Sequence, residues 1–172
     1  MAITMGYAYE TKTPGFNIRM AEERDTALIL DFIKKLAAYE KLSHEVVATE
    51  EVLRESLFVK KQAEVIIGEL DGRPVAFALF FHNFSTFLGK ANLYLEDLYV
   101  DEEHRGLGLG REMFACLARI ALERGCGRLD WWCLDWNEPA IAFYRRMGAR
   151  PMSDWTVHRV EGDALRDLAS EL

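Results

Sequence analysis

The chain has 172 residues, of which 50% are hydrophobic and 28% are charged. This composition is typical of a soluble globular protein and argues against the disordered, fibrous and membrane-spanning classes, and the length predicts one compact core. Its 21 basic and 28 acidic side chains give a net charge of −7, the wrong sign for binding polynucleotide phosphates but a suitable one for a small cationic substrate.

The start of the chain and its cysteines bear on where the protein works. Residues 1–15 contain no apolar run long enough for a signal peptide or a membrane span. We interpret them as a mobile lead, or alternatively as an extra edge strand, before a single domain over residues 16–172. The cysteines Cys116, Cys126 and Cys133 lack C-x-x-C spacing, and two lie among apolar neighbours as reduced thiols do. We therefore expect a cytoplasmic protein.

Two helices are predicted in the first third of the chain. After a short strand over residues 16–20, apolar residues recur at helical spacing from about Asp25 to about Glu40. A second, shorter helix is predicted after Thr49, because Thr is a favoured N-cap residue. The apolar side chains that it should bury are Val52, Leu53 and Leu57.

Three β-rich segments follow, and the first two predict an antiparallel hairpin. Residues 64–70 and 74–84 flank Asp71-Gly72, and an Asp-Gly pair between two such segments is a strong hairpin signal. The third segment, residues 93–100, leads into a glycine-rich turn.

The second half of the chain alternates helices and strands. A helix after the glycine-rich turn should end at Gly125, followed by a strand over residues 128–134, a helix over residues 139–147 and a last strand over residues 155–160. The apolar face of the first of these helices is formed by Met113, Leu117, Ile120 and Ala121. We therefore predict an α/β or α+β three-layer domain with a mixed, mostly antiparallel central sheet and helices on both faces.

The most informative segment is the turn Arg105-Gly106-Leu107-Gly108-Leu109-Gly110-Arg111, between a predicted strand and a predicted helix. Backbone N–H groups at such a place hold anions, and glycines let phosphate come close. A Rossmann motif would need glycine at position 111, and no G-K-[ST] follows for a P-loop. The pattern that remains is R-x-x-G-x-G. Alternatively, the glycines only permit a tight turn.

These residues resemble the GCN5-related N-acetyltransferase (GNAT) superfamily. Its acetyl-CoA motif, R/Q-x-x-G-x-G/A, is matched by Arg105, Gly108 and Gly110. Residues 93–110 and 136–149, with Leu36-Ala37-Ala38-Tyr39-Glu40, resemble most closely the spermidine/spermine (diamine) acetyltransferase branch. The resemblance implies a GNAT-like fold in which the fourth and fifth core strands splay apart.

The resemblance also implies acetyl-CoA as co-substrate and no metal. The pantetheine arm would lie between the splayed strands on backbone groups at Leu98 and Val100, and the pyrophosphate would rest on the amides of residues 105–110. Asn137 is expected either to cap a helix or to contact the cofactor. Four residues that show no metal-ligand spacing are His44, His82, His104 and His158.

Acetyl transfer to an amine requires removal of a proton from the amine and a proton for the departing thiolate. By resemblance, Tyr144 supplies the second proton and Glu96 acts as base, directly or through water, with Asp97 helping to hold the cation. Regular strand pleating would send Glu96 and Asp97 to opposite faces, so only one can face the acetyl group unless the strand is bulged. Alternatively, Tyr144 is only a core tyrosine, and the Glu96 and Asp97 carboxylates take part only in an ordinary ion pair.

The acceptor site is expected at the end of the first helix. Tyr39 and Glu40 line the amine site in the related branch, although a Glu at a helix end is usually just solvated. Residues 83–89 lack the carboxylate that polyamine-specific relatives carry there, which argues against a polyamine. The expected acceptor is therefore first a diamine or a lysine-like amino acid, and a polyamine only after them.

The sequence therefore predicts an acetyl-CoA-dependent N-acetyltransferase that acts directly, from a ternary complex, on a primary amine of a small cationic molecule. It predicts neither nucleic-acid nor membrane binding, and resemblance alone implies a homodimer. One alternative acceptor is a protein or peptide amine. Another alternative is a non-catalytic acyl-CoA-binding regulatory module, which would not need Tyr144 or Glu96.

Overall fold

The computed structural model describes residues 8–172, and six strands of this part of the chain form one mixed sheet. Their order across the sheet is β1 (Ala8–Glu10), β2 (Phe16–Met20), β3 (Glu64–Leu70), β4 (Arg73–Ser85), β5 (Lys90–Val100) and β6 (Leu129–Trp131). Neighbouring strands are antiparallel, except β5 and β6, which are parallel. The mixed, mostly antiparallel sheet is confirmed. Part of the expected N-terminal lead forms β1, whereas residues 1–7 lie outside the described residues.

Five α-helices accompany the sheet in the described part of the chain. They are α1 (Thr26–Tyr39), α2 (Glu50–Arg54), α3 (Leu109–Glu123), α4 (Glu138–Arg146) and α5 (Gly162–Ala169). Local signals explain two of the boundaries. The Val52 N–H donates to the Thr49 hydroxyl at 3.3 Å at the start of α2, and Gly125, at φ +69°, follows the end of α3.

One face of the sheet packs against α1. Its core is formed by Ile29, Phe32, Leu57, Val65, Ile67, Phe77 and Tyr99. The rings of Phe32 and Phe77 stack at 5.2 Å between centroids. The expected burial of Val52 is wrong, because this side chain is 56% exposed. Leu53 and Leu57 lie four residues apart and therefore share the inward face, which leaves Val52 to solvent.

The opposite face of the sheet packs against α3. Ile67 belongs to the core under α1, so its neighbour Gly68 faces the other way. A Cβ at Gly68 would lie 2.6 Å from the Phe16 ring and 3.1 Å from the sulfur of Met113, a residue of α3. The expected apolar face of α3 is buried throughout, which confirms Met113, Leu117, Ile120 and Ala121. Helices therefore cover both faces of the sheet.

The chain divides into two compact units, one ending at residue 132 and the other comprising residues 133–172. The sheet and helices α1 to α3 belong to the first unit, and α4 and α5 belong to the second. Helix α4 begins with Pro139 in its first turn and is followed by Gly148 at φ +90°, as the sequence predicts. No helix among the described residues is both long enough and apolar enough to cross a membrane.

Two predictions in the second half of the chain are wrong. Residues 155–160 form no strand, because they pair with no other strand of the described chain, and Trp155 is 75% exposed. An isolated extended segment has no backbone partners and so makes no ladder. The strand expected over residues 128–134 is limited to Leu129–Trp131. Helix α5 was not predicted, because its eight residues are too few for a convincing helical period.

Candidate active site

The glycine-rich turn joins β5 to α3 and leaves an open space before the helix. Gly106 and Gly108 adopt φ +82° and +86°, a region that side-chain-bearing residues rarely occupy. A Cβ at either position would meet no atom within 4 Å. The chain therefore turns into α3 without filling the space above the turn. Gly110 lies inside α3, so the backbone does not require a glycine there.

The start of α3 presents backbone N–H groups that lack an acceptor. The N–H groups of Arg111 and Glu112 donate back to the Gly108 carbonyl at 3.0 and 3.2 Å. The N–H groups of residues 106–110 have no hydrogen-bond acceptor within residues 8–172. Successive unpaired amides at a helix N-terminus favour a phosphate group. The turn therefore fits the pyrophosphate of acetyl-CoA.

The Arg105 side chain contacts two tyrosine rings and a carbonyl of β5. Its guanidinium lies over the rings of Tyr39 and Tyr99, at 4.9 and 5.3 Å from the ring centroids. Its Nε–H donates to the Val100 carbonyl at 3.0 Å. The first residue of the motif therefore contacts the last residue of α1, a contact that the motif does not predict. Arg111, at the other end of the turn, is exposed.

Beyond its short pairing with β6, strand β5 has an edge that pairs with no other strand of residues 8–172. Strand β6 pairs only as far as Leu95, whereas β5 continues to Val100. The Asp101 N–H donates to the Val75 carbonyl at 2.9 Å, towards β4. Because backbone direction alternates along an antiparallel strand, Leu98 and Val100 present their backbone groups to the free edge. This edge fits an extended amide-bearing chain such as pantetheine.

A β-bulge determines where the two consecutive carboxylates point. Leu79 lies opposite Asp97 and Phe80 opposite Leu95, so Glu96 is an extra residue in β5. Tyr94 lies opposite Phe81, with the two rings 5.0 Å apart, on the same face as Leu79. Glu96 follows Tyr94 by two residues and returns to that face.

The two carboxylates therefore do not take the opposite orientations of a regularly pleated strand, because β5 contains a bulge. The bulge brings Glu96 and Asp97 to one face, the face covered by α1. Asp97 is mostly buried, whereas Glu96 is exposed.

Two acidic side chains lie close enough to Asp97 for their charges to act on it. Burial, and after it the charges of Glu96 and Glu40, together raise the pKa of Asp97 to about 6. Burial also raises the pKa of Glu40, which follows α1. None of the ion pairs within residues 8–172 involves any of the three. Such a cluster favours a cation and can accept a proton near neutral pH.

The second unit carries Asn137 and Tyr144 on and before α4. The Asn137 side chain accepts a hydrogen bond from the Ala140 N–H at 3.4 Å, as an N-cap residue does. Tyr144 packs its ring against that of Phe143 at 5.6 Å, and its carbonyl accepts from Met147 and Ala149. Each residue therefore has a role within the helix.

Comparison with known proteins identifies the family. Residues 30–149 match the family model for the acetyltransferase (GNAT) family. The chain belongs to the GNAT family. It is an N-acetyltransferase, and enzymes of this family take their acetyl group from acetyl-CoA.

Relatives of this GNAT chain include small-molecule acetyltransferases. The chain is 39% identical over 166 residues to thialysine N-epsilon-acetyltransferase of Sus scrofa, covering 90% of this chain and 97% of that protein. It is 29% identical to L-ornithine N5-acetyltransferase of Arabidopsis thaliana, covering 88% and 86%. Among solved structures, an integron cassette protein from V. cholerae has a TM-score of 0.75 at 26% identity, covering 90% and 98%.

Sequence reasoning identified the turn and the carboxylates but missed their arrangement. It gave Arg105 a cofactor role without its contact to Tyr39, and it did not detect Tyr99 as a neighbour. One signal was available for the bulge. Two acidic residues in succession interrupt an otherwise apolar strand, and bulges are common beside active sites.

Proposed function

We propose that this GNAT enzyme acetylates a primary amine of a small molecule that carries two amino groups, such as a diamine, a polyamine or a lysine-like amino acid. The observation that carries the proposal is the cluster of Glu40, Glu96 and Asp97, which is partly buried and forms no ion pair with a basic side chain of residues 8–172. The names of two relatives, a thialysine and an ornithine acetyltransferase, agree with an acceptor of this class.

Acetyl-CoA supplies the activated acetyl group as a thioester. The unpaired N–H groups of residues 106–110 hold its pyrophosphate, and the free edge of β5 at Leu98 and Val100 holds the amides of its pantetheine arm. The Val100 carbonyl already accepts from Arg105 and retains one further lone pair. Backbone groups therefore bind the cofactor, and no metal is required.

The carboxyl groups bind and deprotonate the acceptor. Glu40 and the exposed Glu96 attract the ammonium groups, and Asp97 accepts the proton that the reacting amine must lose. Asp97 is better suited than Glu96 as base, because its raised pKa of about 6 lies closer to neutrality than that of an ordinary carboxylate. Glu96 remains in the site as a charge partner, which exchanges the two roles that the family resemblance implies.

Tyr144 donates a proton to the departing CoA thiolate. A phenol ordinarily keeps its proton at neutral pH and is thus available as a general acid. The family resemblance of residues 136–149 supports this role. The same resemblance supports a homodimer, which sedimentation of the purified protein tests. The absence of C-x-x-C spacing among the three cysteines supports a cytoplasmic protein.

The acceptor class is tested by CoA thiol release from acetyl-CoA with matched amines. 1,5-Diaminopentane and pentylamine have the same carbon chain and differ in one amino group, and lysine, thialysine, ornithine and spermidine extend the series. We expect kcat/KM for the diamine to exceed that for the monoamine by at least about tenfold, because the second charge meets a carboxylate. Equal values for the pair, or a peptide as the best acceptor, would contradict the proposal.

A further inference from the structure

Arg105 joins the cofactor turn to the end of α1. Its guanidinium lies over the rings of both Tyr39 and Tyr99, at 4.9 and 5.3 Å from their centroids, while its Nε–H donates to the Val100 carbonyl. Tyr39 is the last residue of α1, and Glu40 follows it directly. A side chain that belongs to the cofactor motif thus fixes the residue beside an acceptor carboxylate.

A second contact joins the same two segments. Lys35 lies one turn before Tyr39 on α1, and its ammonium group contacts the Asp101 carboxylate at 3.1 Å, immediately after β5. The end of α1 is therefore held to the β5–α3 connection at two points. These contacts restrict where Glu40 can lie relative to Asp97, which its charge influences.

We propose that Arg105 is a positioning residue for the acceptor: through Tyr39 it holds Glu40 where this carboxylate binds the second amino group of the substrate. This inference rests on the proposed function. The Arg105 guanidinium lies over two aromatic rings while its Nε–H donates to a backbone carbonyl, a combination that the single ammonium group of a lysine does not reproduce. Arg105 therefore acts on amine recognition, although its place in the motif suggests cofactor binding.

The test is a double-mutant cycle of Arg105→Gln and Glu40→Gln, with KM measured for 1,5-diaminopentane, pentylamine and acetyl-CoA. We expect Arg105→Gln to raise the KM of the diamine by about five- to tenfold, and that of the monoamine by less than half as much. The increase should vanish in the Glu40→Gln background, because the arginine acts through that carboxylate. Arg105→Lys should give an intermediate KM.

The direction of the change separates positioning from a simple charge effect. Arg105 and a dicationic substrate repel each other. If charge alone mattered, removing the arginine charge would therefore lower the KM of the diamine. If Arg105 positions Glu40, its removal should instead raise the KM of the diamine. Arg119→Gln is the matched control, because Arg119 also lies over a tyrosine ring, that of Tyr9 at 5.6 Å, but on α3. It should leave both amine KM values within twofold.

Four outcomes would overturn the inference. The first is that Arg105→Gln changes only the KM of acetyl-CoA, and the second is that it lowers the KM of the diamine. The third is that it changes the KM of both amines equally. The fourth is that it raises the diamine KM as much in the Glu40→Gln background as in wild type. If the Arg105→Gln protein does not fold, Arg105→Lys replaces it in the double-mutant cycle with Glu40→Gln. Failure of the proposed function is distinguishable, because Glu40→Gln alone would then change the KM of diamine and monoamine equally.

Discussion

The cofactor turn and the acceptor cluster differ in the groups they present and in how the chain assembles them. The turn offers the N–H groups of five consecutive residues, 106–110, which have no acceptor in the part of the chain that the structure describes. The acceptor side offers side chains from two elements, with Glu40 after α1 and Glu96 and Asp97 on a bulged strand. A backbone site requires a local conformation, whereas a side-chain site requires the correct register and packing. Substitutions should therefore affect the two in different ways.

The largest expected effect is the loss of cofactor binding in Gly108→Asp. The new carboxylate would enter the open space above the turn, where it would clash with and repel the pyrophosphate. We expect the Kd for CoA, measured by calorimetry, to rise by more than about 10³-fold, about 4 kcal/mol.

Gly72→Asp is the matched control for backbone strain. Gly72 has φ +75° in the β3–β4 turn, and a Cβ there would also meet no atom within 4 Å. Its substitution should reduce stability similarly and leave the Kd for CoA unchanged. Unchanged CoA affinity in a folded Gly108→Asp protein would remove the turn from the cofactor site.

The next effect concerns the acceptor cluster and its chemistry. Asp97→Asn should lower kcat/KM by about 10²–10³-fold, because an amide cannot accept the proton of the amine. The wild-type profile of kcat/KM should show a protonation step near pH 6 that the variant lacks. Glu96→Gln, the neighbouring control, should retain that step. If the step persists in Asp97→Asn and disappears in Glu96→Gln, then Glu96 is the base.

Tyr144→Phe tests the contribution of the second unit. The ring is kept and the hydroxyl is lost, so the acetyl-CoA KM should change little while kcat falls by about 10²-fold. Single-turnover measurements are required, because slow product release would hide a slower chemical step. A single-turnover rate in Tyr144→Phe equal to that of wild type would exclude Tyr144 as the general acid. Wild-type protein that is inactive with every amine would instead favour an acyl-CoA-binding module.

The smallest effect is a gain in stability. Burial and neighbouring charges raise the pKa of Asp97 from 3.8 to about 6 on folding, so its ionised form destabilises the folded state. This cost is absent below the unfolded pKa and appears as the pH rises through the window from 3.8 to about 6. At pH 8, Asp97→Asn should therefore be more stable than wild type by about 1–2 kcal/mol.

Urea unfolding at pH 8 and at pH 4 measures that gain. The difference between the two proteins should shrink towards zero at pH 4, where both carry a neutral side chain at position 97. Glu55→Gln serves as a control with the opposite shift, because Lys60 lowers the pKa of the Glu55 carboxyl, whereas the pKa of Asp97 is raised. This substitution should therefore give no gain in stability at pH 8. A gain that is the same at both pH values would show that it does not come from ionisation.

Sequence signals predicted correctly those features that depend on a single continuous segment, such as turns, helix caps and the apolar face of a helix. The Asp71-Gly72 hairpin, the apolar face of α3 and the caps at Thr49 and Asn137 are all present. Residues 155–160 show the limit of such signals, because a strand also requires a partner that the segment itself does not specify.

The sequence by itself determined the family and the cofactor turn. The R-x-x-G-x-G pattern needs only contiguous residues, and the two positive φ angles of the turn, at Gly106 and Gly108, are local to the same segment. Only the tertiary structure decided the acceptor side. The bulge at Glu96 depends on the register of β4, and the burial of Asp97 depends on the contacts that fold around it. The direction of Arg105 depends on the end of α1, 66 residues earlier, which no local pattern specifies.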